Sequence, residues 1–276
     1  MIKICIGVLL SLAMIKETLI WITLLIFNTI NTISIILDKG ALLNIPLWLS
    51  WLLFLGITFI IVLTLFFRKY LQKKYSTYDL IEKNDLNLKS NEYFFQSPLY
   101  LVDNQVIPVY GFENITYTPT YFNKMHKFVS LFGFFPIYST YLTSESNEVK
   151  IIPQNAFSLR YKYNVYLNSE FIGVFEMRKL LKDKGIKQQL PYVFKSDDKQ
   201  YSFNNAYMSN QTTISDSKDG IVVQANSSFF DFSKNKNTKK RGEKHNITIT
   251  NSHHCSELLL ALYIQAIINK QSPKAS

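Results

Sequence analysis

Cysteine is scarce in this chain of 276 residues, which contains only Cys5 and Cys255. Two distant cysteines do not make the closely spaced set that builds the disulfide framework of a small secreted domain. Glycine and proline are also few, with nine and eight residues, whereas Asn, Ile, Lys, Phe and Tyr are abundant. This bias suggests an AT-rich coding sequence of bacterial type, which is an association and not a physical argument.

Charge is nearly absent from residues 1–67. The remainder of the chain carries 27 basic and 18 acidic residues, so the net charge of +10 lies almost entirely there. A stretch with so little charge is one that lipid can solvate. We therefore expect a membrane segment over residues 1–67 and a water-exposed domain after it. The charged residues of the first part are Lys3, Lys16, Glu17, Asp38 and Lys39.

The membrane segment is predicted to contain two spans, at about residues 18–37 and 45–67. Neither run contains a charged residue, and a helix over the second would cover about 34 Å, more than the hydrocarbon core of about 30 Å. Asn28 and Asn31 weaken the first span, and we expect both amides to bond to the other helix. A polar pathway through the bilayer is the alternative interpretation of these two residues.

Cations at residues 68–74 follow the second span directly and indicate a cytoplasmic flank under the positive-inside rule. The prediction is a multi-pass protein of the cell membrane with its C-terminal domain in the cytoplasm. Residues 68–92 are expected to form a basic helical linker. Residues 4–14 have the length of a signal-peptide core but lack a small-x-small cleavage site. An uncleaved interfacial segment or an extension of the first helix is favoured, and cleavage would leave a different topology.

Residues 93–276 are predicted to form an all-β antiparallel domain. Short aromatic and β-branched runs, including one at residues 127–132, alternate with turn pairs such as Asn168-Ser169. Runs spaced roughly eight to twelve residues apart indicate a barrel or a sandwich.

The run from Leu258 to Ile268 is apolar at ten of eleven positions. A helix that is apolar on every face must be surrounded, and eleven residues reach only about 17 Å, too short for a bilayer. Ser256 is a suitable N-cap, and Lys270 suits the last turn. We expect residues 256–270 to form a helix enclosed by the sheet, with a re-entrant membrane helix as the alternative.

This layout resembles the tubby C-terminal-like superfamily, which includes tubby proteins, LURP-one-related proteins and phospholipid scramblases. Residues 163–178 (YNVYLNSEFIGVFEMR) are similar to the recurring hairpin of that group, and residues 221–232 and 246–250 with the apolar helix resemble its barrel end. The resemblance covers about residues 95–270 and implies a twelve-stranded barrel around a hydrophobic C-terminal helix. Residues 215–220 lack the ligand spacing of a calcium loop, so lipid scrambling is not implied.

A basic run in an Asn-rich loop between two predicted strands is the candidate binding site. Near an anionic leaflet each cation would contribute about 1 kcal/mol, and a solvated loop is the alternative. Nucleic acid is not an expected partner, because the run lacks interleaved aromatics and a recognition helix. The predicted lipid-binding residues are Lys234, Lys236, Lys239, Lys240, Arg241 and Lys244.

Neither a metal nor a cofactor is expected. His245, His253, His254 and Cys255 lie close in sequence, but a strand separates His245 from the rest, unlike the paired ligands of a zinc site. No G-x-S-x-G elbow, P-loop, Rossmann fingerprint or H-E-x-x-H motif occurs, so no catalytic residue is predicted.

The sequence thus predicts a non-enzymatic, membrane-anchored binding or sensing module that engages anionic lipid head groups or a protein partner. One alternative is an immunity-type protein that protects the membrane against a toxin. Another is a lipid-handling enzyme or transfer protein.

Overall fold

A computed structural model gives the fold of the chain. The described residues form four helices and twelve strands, in two compact units. One unit contains the two N-terminal helices together with residues 128–134, and the other contains the sheet and the C-terminal helix. The structure describes residues 2–42, 45–76, 88–98, 101–132, 137–155, 157–158, 160–178, 188–206, 209–218, 220–228, 243–250 and 255–271.

The helices and strands are numbered here in chain order. The helices are α1 (Ile2–Ile36), α2 (Leu47–Ser76), α3 (Lys124–Leu131) and α4 (Ser256–Gln271). The strands are β1 (Glu92–Gln96), β2 (Ile107–Val109), β3 (Ile115–Tyr121), β4 (Tyr138–Thr143), β5 (Glu148–Pro153), β6 (Lys162–Leu167), β7 (Glu170–Met177), β8 (Tyr192–Lys195), β9 (Gln200–Asn204), β10 (Gln211–Asp216), β11 (Gly220–Ser228) and β12 (Lys244–Ile249).

Helices α1 and α2 are each long and apolar enough to cross a membrane. The apolar windows are Lys16–Ile36 and Leu47–Phe67, each of 21 residues. By length and composition these windows correspond to the two predicted spans. Helix α1 continues without a break through residues 4–14, as expected if this stretch extends the first helix.

Polar side chains join the two N-terminal helices. The amide of Asn28 is buried and donates to the carbonyl of Ser50 at 3.1 Å. The indole N–H of Trp21 donates to the Thr58 hydroxyl at 2.8 Å. Asn28 therefore bonds to the other helix, as predicted. Asn31 instead accepts from the backbone N–H of Leu42, in the connection between the helices.

All twelve strands form one antiparallel sheet in the order β1-β12-β11-β10-β9-β8-β7-β6-β5-β4-β3-β2. Two backbone hydrogen bonds between Phe94 and Tyr110, each of 2.7 Å, join β1 to the end of β2. These bonds nearly close the sheet on itself, which leaves little free edge for pairing with another chain. The predicted antiparallel barrel is confirmed.

Helix α4 fills the barrel. Every residue from Glu257 to Asn269 is buried, and the helix packs most closely against β4 and β5. The inward-facing side chains of the strands surround it with aromatic and β-branched groups, including Phe95, Tyr163 and Phe203. The enclosed C-terminal helix that the apolar run predicts is therefore present.

The predicted strand at residues 127–132 is wrong, because these residues belong largely to α3. Asn123 caps this helix: its side-chain oxygen accepts from the backbone N–H of His126 at 2.7 Å. The pairing of Tyr121 with Tyr138 shows that the whole intervening segment is a connection between β3 and β4.

Strand β1, which the sequence pattern did not reveal, is buried at four consecutive positions and lacks the alternation of buried and exposed residues.

Gly173 in β7 tests the packing of the barrel wall. A Cβ at this position would meet the carbonyl oxygen of Lys195 and lie 2.9 Å from the ring of Phe194. We expect Gly173→Ala to lower the free energy of unfolding by about 2–3 kcal/mol, because rigid backbone must shift. The measurement is thermal unfolding of the full chain in detergent, followed by circular dichroism.

Gly220→Ala is the control for this substitution. A Cβ at Gly220 meets no atom within 4 Å, so only its positive φ opposes alanine, at about 1–2 kcal/mol. Equal losses for the two variants would show that the contact at Gly173 is unimportant.

Candidate functional site

The two ends of the barrel differ in the length of their connections. Antiparallel strands place successive connections at alternate ends. At one end, here the short-turn end, the connections that follow β2, β4, β6, β8 and β10 contain two to five residues. At the other, here the long-connection end, those that follow β1, β3, β5, β7, β9 and β11 contain six to sixteen.

The two ends also differ in charge. The connections of the short-turn end contain five acidic and two basic residues. Those of the long-connection end contain thirteen basic and four acidic residues. Residues 179–187 and 229–242 of these connections lie outside the described residues. Their assignment to this end follows from where the described strands before and after them end and begin.

Of the predicted lipid-binding residues, the structure describes Lys244, which lies at the long-connection end. Lys244 is the first residue of β12 and pairs with Gln96 of β1 and Ser228 of β11. The five other cations fall between β11 and β12 in the sequence and outside the described residues: Lys234, Lys236, Lys239, Lys240 and Arg241.

Helix α3 is attached to this end of the barrel by Asp103, in the connection between β1 and β2. One oxygen of Asp103 accepts from the backbone N–H of Tyr121 at 3.0 Å. The other forms an ion pair with the Lys127 ammonium at 2.6 Å. The buried His126 ring lies edge-on to the rings of Tyr121 and Phe157. Three connections of the long-connection end are thereby packed together.

Glu257, at the start of α4, is a buried carboxylate at the short-turn end. Its Oε1 accepts from the hydroxyls of Ser144 at 3.1 Å and Ser146 at 3.0 Å, and from the Asn147 amide at 2.8 Å. Its Oε2 accepts from the hydroxyl of Ser256 at 3.1 Å. These bonds attach the first turn of the enclosed helix to the turn between β4 and β5.

The Glu257 carboxyl is held in its charged form. Burial alone would raise its pKa, but hydrogen bonds from Asn147, from its own backbone N–H and from Ser146 outweigh burial and lower the pKa to about 2. A negative charge in the first turn also suits the helix dipole. The site serves as an anchor for α4, and the carboxylate is already saturated with donors.

A polar cluster lies near the C-terminal end of α4. The amide of Gln265 donates to the carbonyl of Tyr138 at 3.0 Å and to Asn269 Oδ1 at 2.9 Å. The Tyr163 hydroxyl donates to the same Asn269 oxygen at 2.6 Å. Burial raises the pKa values of Tyr163 and Tyr192 far above the ordinary value. These phenols are therefore neutral, so the cluster is suited to holding α4 in register.

His245 is buried in the barrel core at the start of β12. Its ring stacks on Phe95 at a centroid distance of 4.5 Å, and its Nδ1 lies 3.0 Å from the Tyr263 hydroxyl. Burial, reinforced by the charge of Lys270, lowers its pKa to about 3. The imidazole is thus neutral at physiological pH.

The histidines and cysteine that are close in sequence do not form a shared site in the described structure. Cys255 lies beyond the end of β12, at the opposite end of the barrel from His245. Burial raises the pKa of its thiol to about 11. His253 and His254 lie outside the described residues. Among the residues that the structure describes, no group of three or more His, Cys, Asp or Glu side chains could hold a metal ion.

Comparison with known proteins finds no matching family model, no matching curated protein and no matching solved structure. The described architecture has the twelve strands and the enclosed helix that the tubby-like resemblance implies. Membership of that superfamily stays a prediction that rests on this layout.

Sequence reasoning missed the role of Glu257. Its donors Ser144, Ser146 and Asn147 lie more than a hundred residues away, in an ordinary polar turn. A charged residue directly before a run that is apolar at ten of eleven positions was the available local indication.

Glu257→Gln tests the anchoring of α4. We expect a loss of about 2–3 kcal/mol in the free energy of unfolding at pH 7, because charge-assisted bonds disappear in a buried site. Glu145→Gln, the same change at an exposed position of the neighbouring turn, should cost less than about 0.5 kcal/mol. The measurement is thermal unfolding of the full chain in detergent.

The difference in the free energy of unfolding between the wild type and Glu257→Gln should depend on pH. Because the folded pKa of Glu257 is depressed, its contribution is complete above the unfolded value of about 4.3 and declines as pH falls toward 2. The stability difference between wild type and Glu257→Gln should narrow over that window. A constant difference would contradict the assigned ionisation.

His245 provides a second test. Its depressed pKa means that the unfolded chain takes up a proton below about pH 6.5 while the folded protein does not. Stability should therefore fall by up to about 1.4 kcal/mol per pH unit from 6.5 toward 3. Between pH 7 and 5, the free energy of unfolding should decrease less steeply for His245→Phe than for the wild type. Tyr263→Phe, which keeps the imidazole, should retain the wild-type slope, and parallel profiles for all three proteins would refute this assignment.

Proposed function

We propose that the chain is a membrane-anchored, non-enzymatic binding module whose long-connection end engages anionic lipid head groups of the cytoplasmic leaflet. The observation that carries the proposal is the charge asymmetry of the barrel, with thirteen basic residues in the connections of one end and two in those of the other. A basic surface near an anionic leaflet gains about 1 kcal/mol per cation.

The filled interior supports binding at the rim of the barrel. Helix α4 is buried from Glu257 to Asn269 and occupies the space that a ligand-carrying barrel would leave open. Its polar side chains Gln265 and Asn269 bond to each other and to the wall, through the Tyr138 carbonyl and the Tyr163 hydroxyl. The connections at the ends are then the natural places for recognition.

The N-terminal helices support the choice of a lipid partner. A barrel tethered to a bilayer meets its head groups at a high effective concentration, so modest affinity suffices. The cations at residues 68–74 favour a cytoplasmic position for the barrel, where anionic lipids are concentrated. The tubby-like layout agrees with this proposal, because tubby proteins bind phosphoinositide head groups through basic residues.

The proposal can be tested by lysine acylation of the full chain in nanodiscs. Anionic lipid in place of zwitterionic lipid should slow acylation of Lys234, Lys236, Lys239, Lys240 and Lys244 several-fold, because bound head groups cover the amines and stabilise their charged form. Mass spectrometry gives the rate at each residue. High salt should restore the rates, since it screens exposed charges.

Lys199 and Lys218, in the turns of the short-turn end, are the internal controls and should react equally in both lipids. Equal rates for all seven lysines in the two lipids would reject lipid binding and leave a protein as the partner to be sought. Protection of Lys199 and Lys218 alone would place the membrane at the wrong end of the barrel.

A further inference from the structure

We propose that Phe122, Met125 and Phe157 form an apolar patch that inserts into the boundary between the head groups and the acyl chains of the bilayer. The inference rests on the proposed function, which decides which end of the barrel faces the lipid. It adds a second kind of contact, because the basic run would bind charge and this insertion patch would bind hydrocarbon.

The three side chains are large, apolar and exposed. Their relative exposures are 47% for Phe122, 69% for Met125 and 42% for Phe157. Phe122 follows the last residue of β3, Met125 is in the first turn of α3, and Phe157 is in the connection between β5 and β6. All three therefore belong to the long-connection end.

Packing beneath the patch holds it in place. The His126 ring is fully buried, with centroid distances of 5.5 Å to Tyr121 and 6.0 Å to Phe157. Asn123 caps the helix that carries Met125 and His126. The packing of His126 and the helix cap thus fix the backbone positions from which the three apolar side chains project.

Charge around the patch suits an anionic bilayer. Lys124 and Lys127 are exposed on the helix that carries Met125, and Arg160 follows Phe157 by three residues. Lys127 lies beside Asp103, the one acidic residue of the neighbouring connection between β1 and β2. Aromatic and aliphatic side chains with flanking cations are the composition of membrane-surface segments.

The short-turn end also exposes apolar side chains, and this makes it a matched control. Phe112 is 76% exposed, and Phe171 and Ile221 are exposed as well. Glu113 is adjacent to Phe112, and acidic residues predominate in the turns of that end. If exposure alone decided membrane contact, Phe112 would be the better candidate. If the surrounding charge decides membrane contact, the insertion patch will enter the bilayer and Phe112 will stay in water.

The experiment places a spin label at each end of the full chain in nanodiscs that contain anionic phospholipid. The background carries Cys5→Ala and Cys255→Ser, and the labelled variants are Met125→Cys, Phe157→Cys and Phe112→Cys. Collision rates of each label with oxygen, which concentrates in lipid, and with a water-soluble nickel chelate give its depth. Lysine acylation is recorded on the same samples.

The expected result is an oxygen-to-nickel ratio several-fold higher at Met125 and Phe157 than at Phe112. Addition of Phe122→Asp should lower the ratio at Met125 several-fold, because a carboxylate opposes insertion beside anionic lipid. A retained ratio in that variant would overturn the assignment of Phe122 to the patch.

The remaining outcomes separate the inference from the proposed function. Aqueous labels at both ends, together with protected lysines, would overturn insertion and leave head-group binding intact. Aqueous labels with unprotected lysines would overturn both. Immersion of all three labels in lipid would overturn the insertion patch. Immersion of the Phe112 label alone would overturn the insertion patch and also show that the short-turn end faces the membrane.

Discussion

The barrel depends on one constraint, which is that an apolar helix cannot be left in water. Helix α4 presents no polar stripe between Leu258 and Ile264, so an ordinary position on the face of a sheet would leave apolar area exposed. Enclosure by a sheet on all sides removes that exposure. The nearly closed order of the twelve strands and their inward-facing aromatic residues both follow from it.

Enclosure creates a second requirement, since a helix inside a barrel still has two ends with unpaired backbone groups and must hold one register. The carboxylate of Glu257 bonds the first turn to the wall, and the Gln265 and Asn269 side chains bond the helix to the wall near its other end, which together fix the register. A purely apolar helix could slide or rotate within an apolar barrel. The few buried polar groups therefore specify position, in addition to any contribution to stability.

Much of this architecture could be predicted from local patterns. The apolar run of α4 indicates an enclosed helix, and the turn at Asn168-Ser169 is apparent because both residue types are common in turns and Asn tolerates the positive φ, here 50°, that its position requires. Helix α3 could not be predicted in this way. Its short, β-prone run is held helical by the Asn123 cap and by the tertiary partners of His126.

The candidate site could be predicted only in part, for a related reason. The cations between β11 and β12 fall within eight consecutive residues, 234–241, and they are evident from the sequence. The insertion patch draws on two different connections, and its members share one end of the barrel only because antiparallel pairing brings the ends of β3 and β5 to that end. Its assembly depends on topology, which single residues such as Phe157 do not reveal.

The order of the strands has a consequence for biosynthesis. Strand β1 is made first, yet its pairing partner across the whole strand is β12, about 150 residues later. The core helix follows β12 and is the last of the elements that the structure describes. During translation the strands from β2 to β12 can pair with their neighbours in sequence, whereas β1 must wait for β12, and the inward-facing residues lack their core until α4 is made. Closing the barrel through pairing of strands so distant in sequence is intrinsically slow. A chain that lacked α4 would leave the inward-facing apolar side chains of the sheet without a core to pack against.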